Sequence, residues 1–600
     1  MPRVLNWLGR HKSLLALAVI TAVVFVTYFP ALKLGFYGDD WIFYDLAGRL
    51  PLADYLTKYF DPRAQTAWYR PVQGVLFRTE YTLFGPNPLG YHLLNIVVHL
   101  ANCFLIFGLL NRATEKRRAG FIAALVFATL PTAVLSVLWP GVIDALETLF
   151  YLTSVWFWLN YLAGNRVRDY GLAFAAFLLA LFTKEIGVTL PVTLFFLDRA
   201  VVQTPARFGD LLRRYTPFLV VWLGYLPIEY VVTRRSVFVN QLGYAPDLAR
   251  LAFNLVNYLA TLTFPWISFP PVTFAWLGVV ALVLGYAILS KRGLGLLPVV
   301  AGAILGVLPV ALFPFVANRF LYLSLTGSAI LFALGFDWLL ARAAVFRIPL
   351  FAVLAAVAAI GSVNISVATA DFGEYARVSR VTFRNVSQAH AGFPEDTLLF
   401  FVDPPVPGTN LSGMFLWRYG PGVSVLATDS GHVAGLREHA AAYVIYFDDA
   451  GNQKEQQVGS PVRARSTPLL PAGFAKGIRL EGFELVSDTV QRGQPVLLFL
   501  YWRGLKRMDA DYLVSVRILD ANNNVIASYA KPPHHGDAPT SGWTPGDLVV
   551  DVVQIPIPAS TPAGSYRLEV GLYDPGTMGR LTIDEAGMDK IYIDPLSISE

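Results

Sequence analysis

Long apolar runs recur through the first 370 residues of this chain, and every second segment between them is basic. A hydrocarbon core of roughly 30 Å takes about 20 helical residues to cross. The runs of that length or near it lie at Leu14–Leu34 and at about 91–110, 119–138, 146–163, 170–183, 186–200, 215–232, 272–290, 295–316, 320–340 and 348–368. Charged residues make up 15% of the chain against roughly 25% in average globular proteins. These numbers exclude a soluble enzyme and predict a mostly α, polytopic membrane protein of about eleven transmembrane helices. The first run exceeds the signal-peptide core of about 7–15 residues and reads as an uncleaved span. The short pair at 170–183 and 186–200 reads as a hairpin.

Orientation follows from the placement of Lys and Arg. With the N-terminus cytoplasmic, the inner segments carry Arg3, Arg10 and Lys12; Arg112, Lys116, Arg117 and Arg118; Arg166 and Arg168; Arg199, Arg207, Arg213 and Arg214; Lys291 and Arg292; and Arg342 and Arg347. The apolar stretch Leu248–Phe269 would break this parity as a span, so it is expected to be an interfacial or re-entrant helix on the outer face. Everything after Ala370 then lies outside, and an integral protein of the bacterial plasma (inner) membrane is expected. Residues 1–370 form the transmembrane part. Residues 371–475 mix short strands with glycine-rich turns and read as a small α/β domain. Residues 476–600 carry strand-like runs at near-regular spacing and read as an Ig-like β-sandwich. A net charge of +5 is too mild to suggest nucleic acid, and the single Cys103 excludes a disulfide framework and a Cys-rich metal site.

Candidate chemistry gathers in the segments predicted outside. The first outer loop opens with Tyr37-Gly38-Asp39-Asp40-Trp41. Adjacent carboxylates at a membrane surface are costly unless used or well hydrated. A carboxylate within reach of an acceptor hydroxyl can take its proton during attack; the alternative is a solvated Gly-Asp-Asp turn. Arg70 lies in Trp68-Tyr69-Arg70-Pro71. His92, Asn95 and His99 share one face of the second span, a spacing better suited to hydrogen bonds between helices than to a metal. Asp144 and Glu147 share a helix face at i, i+3. Lys184 and Glu185 stand at the hairpin tip, where they could pair locally, and Arg319 and Tyr322 open the tenth span. Acids to activate a nucleophile and fixed cations to hold a phosphate are what transfer from a lipid-phosphate donor requires.

At these residues the chain resembles the membrane glycosyltransferases of the GT-C class, which include the protein O-mannosyltransferases and the aminoarabinose transferases. The most detailed likeness is to the tetratricopeptide-bearing O-mannosyltransferases. It rests on Tyr69-Arg70-Pro71, Leu83-Phe84-Gly85, Tyr91-His92-Leu93-Leu94-Asn95 with His99, Leu181-Phe182-Thr183-Lys184-Glu185 with Leu190-Pro191, and Asn318-Arg319-Phe320-Leu321-Tyr322-Leu323, over about residues 13–340. The resemblance implies a polyprenyl-phosphate-linked sugar as donor, an inverting reaction, a catalytic base at Asp39 with Asp40 beside it, and a second acid at Asp144. Arg70, His92, Glu147, Lys184, Glu185, Arg319 and Tyr322 join Asp144 as candidate substrate-binding residues. Two departures stand out: Val142 where relatives often have Arg, and Asn318 where they often have Glu. The β-rich region stands in place of the tetratricopeptide array, so the acceptor (protein, lipid or glycan) is not inherited from that group. No cofactor is written in the sequence, and a divalent metal stays open. The competing reading is a non-catalytic transporter or binding protein for a lipid-linked glycan.

Overall fold

The computed structural model describes residues 12–600 apart from 65–67, 202–207, 237–238, 240–245, 267–274, 279, 282–296, 343, 403, 407, 428–438, 448–450, 459–470, 537 and 584–586. The chain divides into two compact units, Met1–Arg377 and Val378–Glu600.

The first unit is helical. Its elements are α1 (Lys12–Tyr28), α2 (Asp40–Arg49), α3 (Leu52–Phe60), α4 (Pro71–Phe84), α5 (Pro88–Thr114), α6 (Arg117–Ala128), α7 (Leu135–Leu138), α8 (Asp144–Gly164), α9 (Val167–Thr183), α10 (Leu190–Val201), α11 (Phe208–Arg235), α12 (Leu251–Thr263), α13 (Leu297–Val307), α14 (Tyr322–Arg342) and α15 (Arg347–Ala389). Among the described residues five helical stretches are long and apolar enough to cross a membrane: Lys12–Lys33, Pro88–Thr114, Gly209–Arg235, Asn318–Arg342 and Arg347–Ala389. The helix boundaries follow local chemistry. Asn87 caps α5 by accepting from the Leu89 N–H at 3.1 Å, with Pro88 at the first helical position, where its missing N–H costs nothing. α5 ends on Glu115 and α8 on Asn165, both in the left-handed region, with φ of 56° and 47°.

Two expectations about helix limits need correction. The run at 119–138 is not one helix: α6 stops at Ala128, a 3-10 turn covers Pro131–Ala133, and α7 follows. Pro131 has no N–H to donate and biases Leu130 away from helical geometry. The helix that carries the last apolar run does not stop with it at 368: α15 continues through polar sequence to Ala389, and the boundary between the two units falls within it. Among its described residues the stretch 248–269, expected as an interfacial or re-entrant helix, holds the 13-residue α12, too short to span; Asn254 on it donates to the carbonyls of Ala311 and Phe313 at 3.0 and 2.6 Å. The run at 272–290, with Lys291 and Arg292, lies largely outside the described residues. Where α15 passes α6, a Cβ on Gly361 would collide with the Thr129 carbonyl oxygen, so this crossing needs glycine. Nearby, the hydroxyls of Thr27 and Ser362 join α1 to α15 at 2.9 Å.

The second unit opens with a sheet ordered β2-β1-β3-β4, in which β1 (Thr397–Phe401) is parallel to β2 (Val423–Ala427) and β3 (Ala441–Phe447), and β4 (Gln453–Val458) is antiparallel. Helix α16 (Gly408–Tyr419) makes the β1–β2 crossover. Two further sheets follow. One is ordered β11-β8-β6-β5, the other β10-β9-β12-β13-β7, from β5 (Ala472–Phe474), β6 (Ile478–Leu485), β7 (Thr489–Gln491), β8 (Pro495–Gly504), β9 (Leu513–Leu519), β10 (Val525–Lys531), β11 (Leu548–Pro556), β12 (Gly564–Tyr573) and β13 (Ile591–Ser599). Both sheets bury side chains in a single cluster. Strand β8 explains its own unbroken apolar run: Val496, Leu498, Leu500 and Trp502 enter that cluster, while Leu497 and Phe499 pack on Leu398, Phe400 and Val444 of the first sheet. A strand covered on both faces loses the polar alternation of a half-exposed one.

Candidate active site

The site begins in the loop that follows α1. Gly38 has φ of 58°, and a Cβ there would come within 2.7 Å of the Trp139 ring, so both backbone and packing demand glycine. The turn delivers Asp39 to the N-cap of α2 with its carboxylate unused by the cap, and Asp40 to the first helical position. These neighbours have different surroundings. Asp40 is fully buried; its Oδ2 accepts from the Tyr37 N–H at 3.0 Å and its Oδ1 from the Gly141 N–H at 2.6 Å. Burial pushes the Asp40 carboxyl up to about 8 despite the two N–H donors. Asp39 instead lines a cavity of about 460 Å³. Burial raises its carboxyl too, while the charges of Arg319 and Arg70 pull it down.

Five other candidates line the same cavity: Arg70, Asp144, Lys184, Glu185 and Arg319. Arg70 precedes Pro71 at the start of α4, and its Nε and Nη2 donate to Oε1 and Oε2 of Glu185, both at 2.8 Å. This is the forked geometry that only Arg supplies. Burial alone would raise the Glu185 carboxyl, but Arg70, with Lys184 close by, brings it below its ordinary range. Lys184 does not pair with its chain neighbour Glu185. Its Nζ donates to Asp144 Oδ1 at 2.5 Å, and both side chains are about 5% exposed or less. Burial pulls the Lys184 ammonium down, and the Asp144 carboxylate opposes that pull. Arg319 lies over the rings of Phe320 and Trp139, 5.0 and 6.0 Å from their centroids. Among the described residues it has no carboxylate within ion-pair distance. The cavity therefore holds two internally neutral pairs, with Asp39, Arg319 and Lys58 outside them.

Four candidates stand off the lining. Asp40 sits behind Asp39. Glu147 is buried one turn along α8 beside Thr148. His92 is buried in α5 near the backbone of Gly35 and Leu138. Tyr322 is also buried: its hydroxyl meets His99 Nδ1 at 2.7 Å and accepts from Asn102 Nδ2 at 3.3 Å, while Asn102 donates to the Ala145 carbonyl at 2.8 Å. This knot ties α5 to the starts of α8 and α14, the elements next to Asp144 and Arg319. Asn95 likewise reaches the carbonyls of Val137 and Trp139.

Sequence reasoning passed over Lys58 and Gln73, which also line the cavity; Gln73 donates to the Gly141 carbonyl at 3.3 Å. It also missed Glu229, whose Oε2 accepts from the Tyr225 hydroxyl at 3.0 Å. A carboxylate inside an apolar run is a signal that could have found it. Among the described residues no group of three or more His, Cys, Asp or Glu side chains is placed to hold a metal ion.

Residues 70–231 match the family model described as dolichyl-phosphate-mannose-protein mannosyltransferase. The chain is 33% identical over 196 residues to protein O-mannosyl-transferase Tmtc1 of Drosophila melanogaster, covering 30% of this chain and 22% of that protein. It is 32% identical over 190 residues to protein O-mannosyl-transferase TMTC3 of Mus musculus, covering 28% and 20%. The chain thus spans about a fifth of the length of these curated relatives. Among solved structures, ArnT from Cupriavidus metallidurans bound to undecaprenyl phosphate aligns over 73% of this chain and 93% of its own, at 14% identity and a TM-score of 0.46. Arabinosyltransferase EmbB from Mycobacterium smegmatis aligns over 90% and 62%, at 11% identity and a TM-score of 0.27. Over residues 70–231, the segment that supplies Arg70, Asp144, Lys184 and Glu185, the chain is O-mannosyltransferase-like.

Proposed function

We propose that this chain is a membrane glycosyltransferase that moves a sugar from a polyprenyl-phosphate donor to an acceptor hydroxyl at the outer face of a bacterial plasma membrane, with inversion at the anomeric carbon. One observation carries the reading: Asp39 and Arg319, an acid and a cation outside the two ion pairs, share a cavity with them. The description of the matching family model, which names a dolichyl-phosphate-linked mannose and a protein acceptor, supports the same donor class.

The residues divide the work. Asp39 takes the proton of the acceptor hydroxyl as its oxygen attacks the anomeric carbon. The bond from that carbon to the phosphate oxygen breaks, and the electron pair leaves with the polyprenyl phosphate. Arg319 meets the phosphate charge, with Lys184 and Arg70 in the adjoining wall. Fixed cations need no reorganisation as charge moves onto the leaving group. Asp40 positions Asp39 through the Tyr37 and Gly141 amides.

The reading includes eleven spans with a cytoplasmic N-terminus, a transmembrane part over 1–370, and two exterior domains at 371–475 and 476–600, the second a β-sandwich. The acceptor is a protein, a lipid or a glycan. The test is glycan mass spectrometry of a strain lacking this chain. Wild-type chain should restore a missing glycan, and an Asp39→Asn chain made at equal level should not. Restoration by both would reject the transferase and favour a carrier of lipid-linked glycan.

A further inference from the structure

A second hollow, apart from the transfer cavity, lies between α10 and the first half of α11. It has a volume of about 330 Å³, and its walls are apolar: Pro191, Val192 and Phe195 on one side, Leu211, Tyr215 and Leu219 on the other. On α10 these residues recur at helical spacing, and Arg199, one turn beyond Phe195, continues the same face. Arg199 is exposed, and its guanidinium lies over the Phe195 ring, 5.5 Å from the centroid. The nearby Arg214 is used differently. Its Nη1 donates to Oδ2 and Oδ1 of the buried Asp198 at 2.8 and 3.0 Å. The Tyr215 hydroxyl donates to the same carboxylate at 3.4 Å.

Every Asp and Glu of the first unit is among the described residues, and none of them lies within ion-pair distance of Arg199. From Phe195 to Thr216 the sequence sets Arg199, Arg207, Arg213 and Arg214 against only Asp198 and Asp210. Tyr170 donates to the Arg214 carbonyl at 2.8 Å and so brings the start of α9 alongside, with Arg166 and Arg168 against Asp169. From Leu211 to Leu219 the groove follows α11 for about 12 Å at 1.5 Å per residue. That is most of the roughly 15 Å depth of one leaflet of the hydrocarbon core, a length that suits an acyl chain. Apolar walls alone do not choose among lipids, because the surrounding chains are equally apolar. Selection falls to Arg199, which stands beside the groove with no carboxylate on its fork and can meet two phosphate oxygens at once. Basic pockets between membrane helices hold anionic lipid heads in this way.

We infer that this groove holds one acyl chain of an anionic phospholipid whose phosphate is bound by Arg199. The site goes beyond the transfer reaction and does not depend on it. The test is native mass spectrometry of the full chain in detergent, titrated with dioleoyl phosphatidylglycerol or with zwitterionic dioleoyl phosphatidylcholine. The wild type should retain one phosphatidylglycerol saturably, about tenfold more tightly than phosphatidylcholine. Arg199→Gln should weaken phosphatidylglycerol about tenfold, the loss of one charge-assisted contact, with the melting temperature unchanged. Arg213, also exposed, stands on the side of α11 turned from Leu211 and Tyr215. Arg213→Gln removes the same charge and should weaken binding only about twofold in about 0.15 M salt. Val192→Trp fills the groove and should expel the lipid with Arg199 intact. Equal retention of the two lipids, unchanged phosphatidylglycerol binding in Arg199→Gln or Val192→Trp, or equal losses in Arg199→Gln and Arg213→Gln would overturn the inference.

Discussion

Lys184 turns away from Glu185, its neighbour in the chain, and pairs at 2.5 Å with Asp144, 40 residues earlier. Glu185 is thereby left to Arg70, 115 residues away. The two pairs pin the start of α8, the tip between α9 and α10 and the start of α4 around one cavity. Breaking a buried pair from one side costs more than removing both partners, because the survivor stays charged and dry. Lys184→Met should therefore destabilise the protein by about 3–5 kcal/mol, and Lys184→Met/Asp144→Leu should recover much of that. Thermal unfolding in detergent measures both. A double variant that unfolds earlier than the single one would contradict the pairing.

Arg70→Lys keeps the charge but loses one arm of the fork to Glu185. The expected result is a loss of sugar transfer of about tenfold, the equivalent of about 1.4 kcal/mol in an arrangement of comparable strength, with little change in expression. Steady-state rates with saturating donor check it.

With Asp39 as the proposed base, its carboxyl and the Arg319 charge are expected to set the acid side of the pH profile. Burial holds the Asp39 carboxyl above its ordinary range, and the Arg319 charge works against that shift. A base must be ionised, so activity falls as pH drops through the Asp39 pKa. Arg319→Gln removes the lowering charge, raises that pKa and moves the acid limb of kcat/KM to higher pH. A limb that stays in place or moves down would show that the two side chains do not interact.

Asp40 gives the opposite test, on stability. Its carboxyl titrates at about 8 in the folded chain and at about 3.9 when unfolded. Its contribution to stability is thus complete below about pH 3.9 and is lost as pH rises towards 8. Asp40→Asn should flatten this fall in melting temperature between pH 5 and pH 8. Asp40→Ala should cost about 1–3 kcal/mol by leaving buried N–H groups of Tyr37 and Gly141 without an acceptor.

Six of the charged residues that line the cavity were legible in the sequence because charge beside long apolar runs is conspicuous: Asp39, Arg70, Asp144, Lys184, Glu185 and Arg319 all stand there, whereas Lys58 lay unremarked within the first long loop. Their pairing was not, since i, i+1 neighbours on a bend face different ways and partners come from distant segments. The split between Asp39 and Asp40 was hidden for the same reason: one residue stands at the N-cap position of α2 without bonding there, the next enters the helix, and its carboxylate is taken up by the Gly141 N–H from another loop. Tyr322 carried a motif-like signal but lies under the cavity wall, bonded to His99 and Asn102. The break at Pro131 could have been read from the proline itself. The continuation of α15 to Ala389 could not, because nothing in the apolar pattern marks where a helix leaves a membrane.

The most direct measurement of the central claim is single-turnover release of polyprenyl phosphate from a labelled polyprenyl-phosphate sugar by purified protein. Asp39→Asn should slow this step by about 10²–10⁴-fold while donor binding and melting temperature stay unchanged. Release at the wild-type rate by Asp39→Asn would contradict the assignment of Asp39 as the base.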